Sequence, residues 1–192
     1  MAEVRTIAVI GAGAIGRGIA HAAALGGYRT ILEDIVPASL RRAEAEVRRN
    51  LAQAVESGEV RKEDADAVFI RIEYASTVEQ AAREADLVIE AVPDEMESKI
   101  EIFTLLDKIC KPGTILAANT SSLSVTDIAA VTFRQNKVLG MRFLEPVHTM
   151  KLLTLVRAPA TDEASVAACA EVGRSMGKVV VVVKEQGSVG TL

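Results

Sequence analysis

Residues 6–16, Thr-Ile-Ala-Val-Ile-Gly-Ala-Gly-Ala-Ile-Gly, decide the fold of this chain. The first five form a short apolar run with β-branched side chains, which is typical of a buried strand. The other six match the pattern G-x-G-x-x-G, and the alanine-rich segment 14–25 has the composition of a helix. A strand, a glycine turn and a helix in this order predict the start of an α/β fold with a phosphate-binding loop.

Each glycine of the loop has a predicted task. Gly11 permits the tight turn, Gly13 lets a pyrophosphate approach the backbone, and Gly16 allows the helix to pack closely on the strand. The amides of Ala14 and Ile15 open the helix, so they would face phosphate oxygens with the positive end of the helix dipole behind them. The loop therefore predicts the pyrophosphate site of a dinucleotide.

An acidic residue, Asp34, follows the second predicted strand, 29–33. It lies about 20 residues beyond the loop, where dinucleotide-binding folds place the acid that accepts hydrogen bonds from the adenosine ribose. Its charge repels a 2′-phosphate, so the sequence predicts NAD rather than NADP, and Glu33 is expected to add to this preference. Two alternatives stay open: a glycine turn in another doubly wound protein, and a surface acid at a strand end.

Strand and helix patterns alternate along the rest of the chain. Ser124 and Thr161 are predicted to cap the last two helices. The alternation predicts one doubly wound α/β domain of the Rossmann type, with a mainly parallel sheet and helices on both faces. Further strands are predicted at 68–73, 87–92, 115–118, 138–143, 152–156 and 179–183, and further helices begin at Pro37, Val78, Met96, Ser124 and Thr161.

Composition excludes several classes of function. The net charge is −4, so the basic surplus of a nucleic-acid partner is absent. Cys110 and Cys169 have neither metal-ligand nor disulfide spacing, so no metal site is expected. The start of the chain lacks a signal-peptide pattern, and the valine run 179–183 is too short to span a bilayer. These observations predict a cytoplasmic protein without a membrane partner.

The middle of the chain resembles the 3-hydroxyacyl-CoA dehydrogenase family. The resemblance rests on Asp-Leu-Val-Ile-Glu-Ala-Val-Pro-Asp at 86–94, Lys99, and Asn-Thr-Ser-Ser-Leu-Ser at 119–124. It implies an NAD-dependent oxidoreductase of fatty acid metabolism that acts on a small molecule, with a 3-hydroxyacyl-CoA or related hydroxy compound as the substrate.

The resemblance also implies roles for individual residues. Ser121 would lie beside the substrate oxygen. Without the resemblance, 119–122 could equally be a capped loop before the next helix, and Lys99 an exposed helix lysine. The positions that the resemblance assigns to the cofactor are Ala91, Val92, Asp94, Lys99 and Asn119.

The segment 140–146, Gly-Met-Arg-Phe-Leu-Glu-Pro, departs from the family pattern. Arg142 stands at the position of the family's catalytic His, and Thr154 at that of the supporting Glu. Because arginine cannot accept a proton, turnover is expected to be impaired. Ser121, Arg142 and Glu145 remain the catalytic candidates. Glu145 could act as a base or form a surface ion pair with Arg142, while His148 is either a replacement base or a solvent-facing loop residue.

The end of the chain departs as well. The sequence predicts an NAD-binding domain at 1–185 and a tail at 186–192, where the family continues into a helical second domain. Without that domain, an apolar face would remain for a homo-oligomer or another partner to cover. Two functions follow: an oxidoreductase of the 3-hydroxyacyl-CoA dehydrogenase type with impaired turnover, or a non-catalytic NAD-binding module or subunit.

Overall fold

The computed structural model describes residues 3–185, which form an eight-stranded sheet in the order β3-β2-β1-β4-β5-β6-β7-β8. Neighbouring strands are parallel except β6 and β7, which are antiparallel. The prediction of a mainly parallel, doubly wound sheet is therefore confirmed. The strands are β1 Thr6–Ile10, β2 Arg29–Glu33, β3 Ile72–Ala75, β4 Leu87–Glu90, β5 Ile115–Ala118, β6 Val138–Phe143, β7 Leu152–Arg157 and β8 Val179–Lys184.

Helices cover both faces of the sheet, because its central strands are apolar on both sides. In β1, Ile7 and Val9 join a core with α1 and α2, whereas Ala8 and Ile10 join a second core with α4, α5 and α6. In the described part of the chain, no helix has the length and hydrophobicity to cross a membrane. The helices are α1 Ala14–Leu25, α2 Pro37–Glu56, α3 Lys62–Ile70, α4 Val78–Ala82, α5 Met96–Ile109, α6 Val125–Ala130 and α7 Glu163–Ser175.

The third strand was predicted at 68–73, and that prediction is wrong. Residues 62–70 form α3, and β3 begins at Ile72, which pairs with Thr30 of β2. Ala65 and Val68 are buried three residues apart, a helical spacing. The acidic residues in the first turn of α3 also favour a helix, because they interact with its dipole.

The two predicted helix caps have different outcomes. Ser124 caps α6, since its hydroxyl accepts a hydrogen bond from the amide of Asp127 at 3.1 Å. Thr161 does not cap α7: Asp162 does, by accepting from the amide of Ser165 at 2.7 Å. Thr161 instead donates to the carbonyl oxygen of Val138 at 2.6 Å, which ties the loop before α7 to the sheet.

The glycine loop brings the start of α1 against the ends of β1 and β4. Gly11 has φ +99°, a left-handed conformation that favours glycine, and its amide donates to the carbonyl oxygen of Glu33 at 2.9 Å. A Cβ added to Gly16 would lie 1.8 Å from the Gly11 carbonyl oxygen. A Cβ added to Gly13 would meet no atom within 4 Å. Gly16 is therefore required for packing, whereas Gly13 leaves open space.

We predict that Gly16→Ala lowers the free energy of unfolding by about 3 kcal/mol, because the new methyl group would overlap a backbone carbonyl. Gly13→Ala is the matched control, since Gly13 has φ −64° and ψ −173°, which alanine adopts readily. Urea denaturation measures both variants. Equal stabilities would contradict the close contact between α1 and the loop.

Candidate functional site

A cleft of about 790 Å³ opens at the carboxyl ends of the central strands. It lies where β1 is flanked by β2 on one side and β4 on the other, which is where doubly wound sheets bind ligands. Of the predicted site residues, Gly16 and Lys99 are absent from its wall. The predicted residues that line it are Gly11, Gly13, Ala14, Ile15, Asp34, Ala91, Val92, Asp94, Asn119, Ser121, Arg142 and Glu145.

The start of α1 fits a pyrophosphate. Gly13 is the N-cap, no side chain caps this end, and the first turn carries no acidic residue. The first amides of a helix have no partner within the helix, so those of α1 are available to an anion in the cleft. The open space beside Gly13 is where a phosphate group can approach the backbone.

The carboxylate of Asp34 is held in place by two backbone amides. Its Oδ2 accepts from Ala12 at 2.9 Å, and its Oδ1 accepts from Val36 at 2.8 Å. Each carboxylate oxygen can accept more than one hydrogen bond, so both can still bind ribose hydroxyls. The arrangement fits an adenosine ribose, and its negative charge disfavours a 2′-phosphate.

Glu33 lies in the wall of the cleft beside Asp34, but its side chain is only 2% exposed. Burial, followed by the charge of Asp34, raises the pKa of Glu33 to about 7, while the amide of Gly11 opposes the shift. Its Oε1 has no hydrogen-bond partner in the described chain. Because the group is partly neutral near pH 7, it repels a 2′-phosphate less than the sequence suggested.

Lys99 is fully buried, so its interpretation as an exposed helix lysine is wrong. Its Nζ donates to both carboxylate oxygens of Glu90, at 2.9 and 2.8 Å, and to the carbonyl oxygen of Asn119 at 3.0 Å. Burial raises the pKa of Glu90 to about 7, an effect opposed by Lys99. Lys99 therefore connects α5 to the ends of β4 and β5 beneath the cleft, and its direct contact with the cofactor stays a prediction.

Sequence reasoning missed Glu90. The sequence could have indicated its role, because Glu90 ends the otherwise apolar strand Leu-Val-Ile-Glu and a buried carboxylate requires a partner. Lys99 follows on the next helix and supplies it.

Asn119, Ser121 and Asp94 lie at the β5 side of the cleft, and each is held by hydrogen bonds. Asp94 accepts from both the amide and the hydroxyl of Ser121, each at 3.0 Å. The side-chain oxygen of Asn119 accepts from the amide of Phe143 at 3.0 Å. These bonds link the loops after β4 and β5 to each other and to the end of β6, so the predicted substrate side is preorganised.

Arg142 reaches the same side of the cleft from β6. Its Nε donates to the carbonyl oxygen of Thr120 at 2.9 Å, and Thr154 is its cross-strand neighbour on β7. In the described part of the chain Arg142 forms no ion pair with Glu145, so the alternative of a surface ion pair between them is wrong. His148 is exposed and lines a smaller pocket that shares Ala14 and Glu145 with the cleft. It does not line the cleft itself, so its role as a replacement base stays a prediction.

The glycine loop, the free amides of α1 and the fixed Asp34 together define a dinucleotide-binding domain with the features that select NAD. The family model for the NAD-binding domain of 3-hydroxyacyl-CoA dehydrogenases matches residues 6–186. The chain therefore belongs to the 3-hydroxyacyl-CoA dehydrogenase family, as its NAD-binding domain, and NAD is its cofactor.

Relatives agree with this assignment. The chain is 40% identical over 183 residues to a probable 3-hydroxybutyryl-CoA dehydrogenase of Bacillus subtilis, covering 95% of this chain and 63% of that protein. It is 37% identical to a 3-hydroxyadipyl-CoA dehydrogenase of Escherichia coli, covering 93% of this chain and 37% of the relative. A crystal structure of 3-hydroxybutyryl-CoA dehydrogenase from Escherichia coli has a TM-score of 0.92 at 36% identity, covering 95% of this chain and 38% of that chain. The chain thus spans less than two thirds of each of these relatives.

We predict that Asp34→Asn shifts the ratio of NAD to NADP affinity at least about tenfold towards NADP. The substitution removes the charge that repels a 2′-phosphate and weakens hydrogen bonds to the ribose. Calorimetric titration with both dinucleotides measures the ratio. Asp66→Asn, at an exposed position of α3, is the control. An unchanged ratio in Asp34→Asn would show that Asp34 does not select the cofactor.

We also predict a pH-dependent effect of Glu33→Gln. Folding raises the pKa of Glu33 from 4.5 to about 7, so its stabilising contribution is complete below pH 4.5 and is lost as the pH rises through 7. The wild type should therefore lose on the order of 2 kcal/mol of unfolding free energy relative to Glu33→Gln between these limits. Urea denaturation across this range measures the difference, and a difference that does not vary with pH would refute the prediction.

Proposed function

We propose that this domain serves the oxidation of a 3-hydroxyacyl-CoA or related hydroxy substrate, and that its own turnover of 3-hydroxyacyl-CoA is impaired. The single observation that carries the proposal is the cleft, in which the α1 amides and Asp34 lie at one end and Ser121 and Arg142 at the other. The printed names of the relatives, which refer to hydroxybutyryl-CoA and hydroxyadipyl-CoA, support the substrate class.

The reaction requires a base that the cleft does not supply in the usual form. NAD held by the α1 amides and Asp34 would supply the hydride acceptor, so the chain itself must remove the hydroxyl proton. That proton needs a group within hydrogen-bond reach and with a pKa near neutrality. The Arg142 guanidinium can only donate hydrogen bonds. Loss of the base alone is expected to slow the reaction by about 10²- to 10⁴-fold.

The remaining side chains can orient a substrate oxygen and accept its proton slowly. Arg142 is fixed through its Nε, so its terminal N–H groups can donate to that oxygen. Glu145 also lines the cleft and is the carboxylate nearest to Arg142 along β6 and its following loop. We propose Glu145 as the residual proton acceptor, with Arg142 and Ser121 orienting the substrate.

A separate observation favours a second function. No histidine lines the cleft in residues 3–185, and the cross-strand neighbour of Arg142 is Thr154 rather than a carboxylate. These features suit an NAD-binding module or subunit without catalytic turnover. The two proposals agree on cofactor binding and differ in whether substrate is converted.

A partner surface is proposed at the edge strand β8. Four of its valines are exposed, among them Val179 at 63% and Val182 at 47%. An apolar edge strand of this kind favours pairing or packing with another chain. We propose that a second copy or another polypeptide covers it.

The domain limits 1–185 remain a proposal, and the predicted tail at 186–192 lies outside the described residues.

We predict that Arg142→His combined with Thr154→Glu raises the rate of acetoacetyl-CoA reduction by NADH about 100-fold or more over the wild type. The pair restores a base and a neighbouring carboxylate on adjacent strands, and the gain lies within the range for general-base catalysis. The assay is the loss of NADH absorbance.

Thr154→Glu alone is the control and should give no gain, since it supplies no group at position 142. Wild-type turnover near 10 s⁻¹, an ordinary enzyme rate, would contradict the impairment. A double variant that binds NAD yet stays inactive would favour the non-catalytic module.

A further inference from the structure

Two buried glutamates lie at the same level of the sheet, on either side of Ile10. In the parallel register Ile10 pairs with Glu33 of β2 and with Glu90 of β4, so all three side chains point to the same face. Glu33 is 2% exposed and Glu90 is 0% exposed. The two carboxyl groups are therefore both buried at the same level of the sheet, but their hydrogen-bond partners differ.

Glu90 is fully satisfied by the protein. Both of its oxygens accept from Lys99, and one also accepts from the amide of Val92 at 2.7 Å. Glu33 receives no comparable support, since its Oε1 has no hydrogen-bond partner in the described chain. The charge that acts on Glu33 is that of Asp34, which is also acidic.

A buried carboxyl oxygen without a donor is costly, and native proteins rarely leave one unsatisfied. Glu33 lines the cleft, so a ligand bound there can reach it. A hydrogen-bond donor suits this group in either protonation state, because a carboxylate accepts through both oxygens and a protonated carboxyl group still accepts through its carbonyl oxygen.

The cleft also has an apolar wall that suits a nucleotide base. Ile10, the strand neighbour of Glu33, lines it together with Val78, Val92 and Ile102. Asp34, next to Glu33 in the chain, is the residue placed to bind the adenosine ribose. The base attached to that ribose therefore lies within reach of Glu33, and adenine carries an exocyclic amino group that donates hydrogen bonds.

We propose that Glu33 recognises the adenine of bound NAD by accepting a hydrogen bond from its exocyclic amino group. The proposal rests on NAD binding in this cleft, and it assigns base specificity to a residue separate from the pyrophosphate loop and from Asp34. Glu33 is thus a specificity determinant that selects a base with a donor at this edge.

The test compares NAD with 1,N6-etheno-NAD, in which the amino nitrogen carries no hydrogen, by calorimetric titration. Glu33→Leu removes the acceptor and is accommodated by the apolar wall, whereas Glu33→Gln keeps an acceptor oxygen and the side-chain shape. Glu33→Leu should weaken NAD binding about tenfold or more, the cost of losing a hydrogen bond to a charged or buried group. Its affinity for etheno-NAD should change less than about twofold, and Glu33→Gln should retain most of the NAD affinity.

The outcomes separate this proposal from the proposed function. Equal losses for NAD and etheno-NAD in Glu33→Leu, or unchanged NAD binding, would overturn the role of Glu33 while leaving NAD binding intact. Wild-type protein that binds NAD and etheno-NAD equally would overturn it without any variant. Failure of the wild type to bind NAD at all would overturn both proposals.

Discussion

The contact between Gly16 and the carbonyl group of Gly11 is the constraint on which the cofactor site depends. It brings the first turn of α1 against the end of β1, where a side chain of any size would separate them. The amides of that turn then face the cleft, and Asp34 is fixed beneath the loop by the amide of Ala12. A packing requirement between two backbones thus creates an electrostatic site for a pyrophosphate.

The carboxyl groups around the cleft have distinct tasks because their partners differ. Asp34 is held by backbone amides and is open to a ribose. Glu90 is neutralised by Lys99, and this buried pair fixes the carbonyl group of Asn119 at the other end of the cleft. Removing one partner of such a pair leaves an uncompensated buried charge, so Lys99 supports the site from below. Among the described carboxyl groups that line the cleft, Glu33 is the one with a buried oxygen that lacks a hydrogen-bond partner.

The sequence predicted the parts of the fold that local chemistry determines. The limits of β1, α1 and β2 follow from apolar runs and glycines, and the structure has them at the predicted residues. The third strand was misplaced because the apolar run Val68 to Ile70 resembles a strand when it is read in isolation. Which residues pair with β2 is decided by the tertiary structure, and these are the residues of β3.

The site was predictable where a motif fixes backbone geometry, as at Gly11, Gly13 and Asp34. The site was less predictable where the position of a side chain depends on burial or on contacts between segments that are distant in the sequence. Neither the burial of Lys99 against Glu90 nor the separation of Arg142 from Glu145 can be derived from spacing along the chain. The placement of His148 in another pocket depends likewise on the path of the loop after β6.

The proposed substrate side of the cleft and its cofactor side are built from different parts of the sheet. Arg142 keeps the strand position from which the resemblance expects a base, yet its guanidinium donates to Thr120 and cannot accept a proton. Cofactor binding and proton removal rest on different elements of the sheet, so one can persist when the other is altered. This separation would allow a cleft suited to NAD to coexist with the proposed impairment of proton removal.

A crystal structure of the protein grown with NAD tests the central claim most directly. It should show pyrophosphate oxygens about 3 Å from the amide nitrogens that open α1, at Ala14 and Ile15, and ribose hydroxyls within hydrogen-bond distance of Asp34. A dinucleotide bound elsewhere, or a cleft that stays empty at saturating NAD, would contradict it.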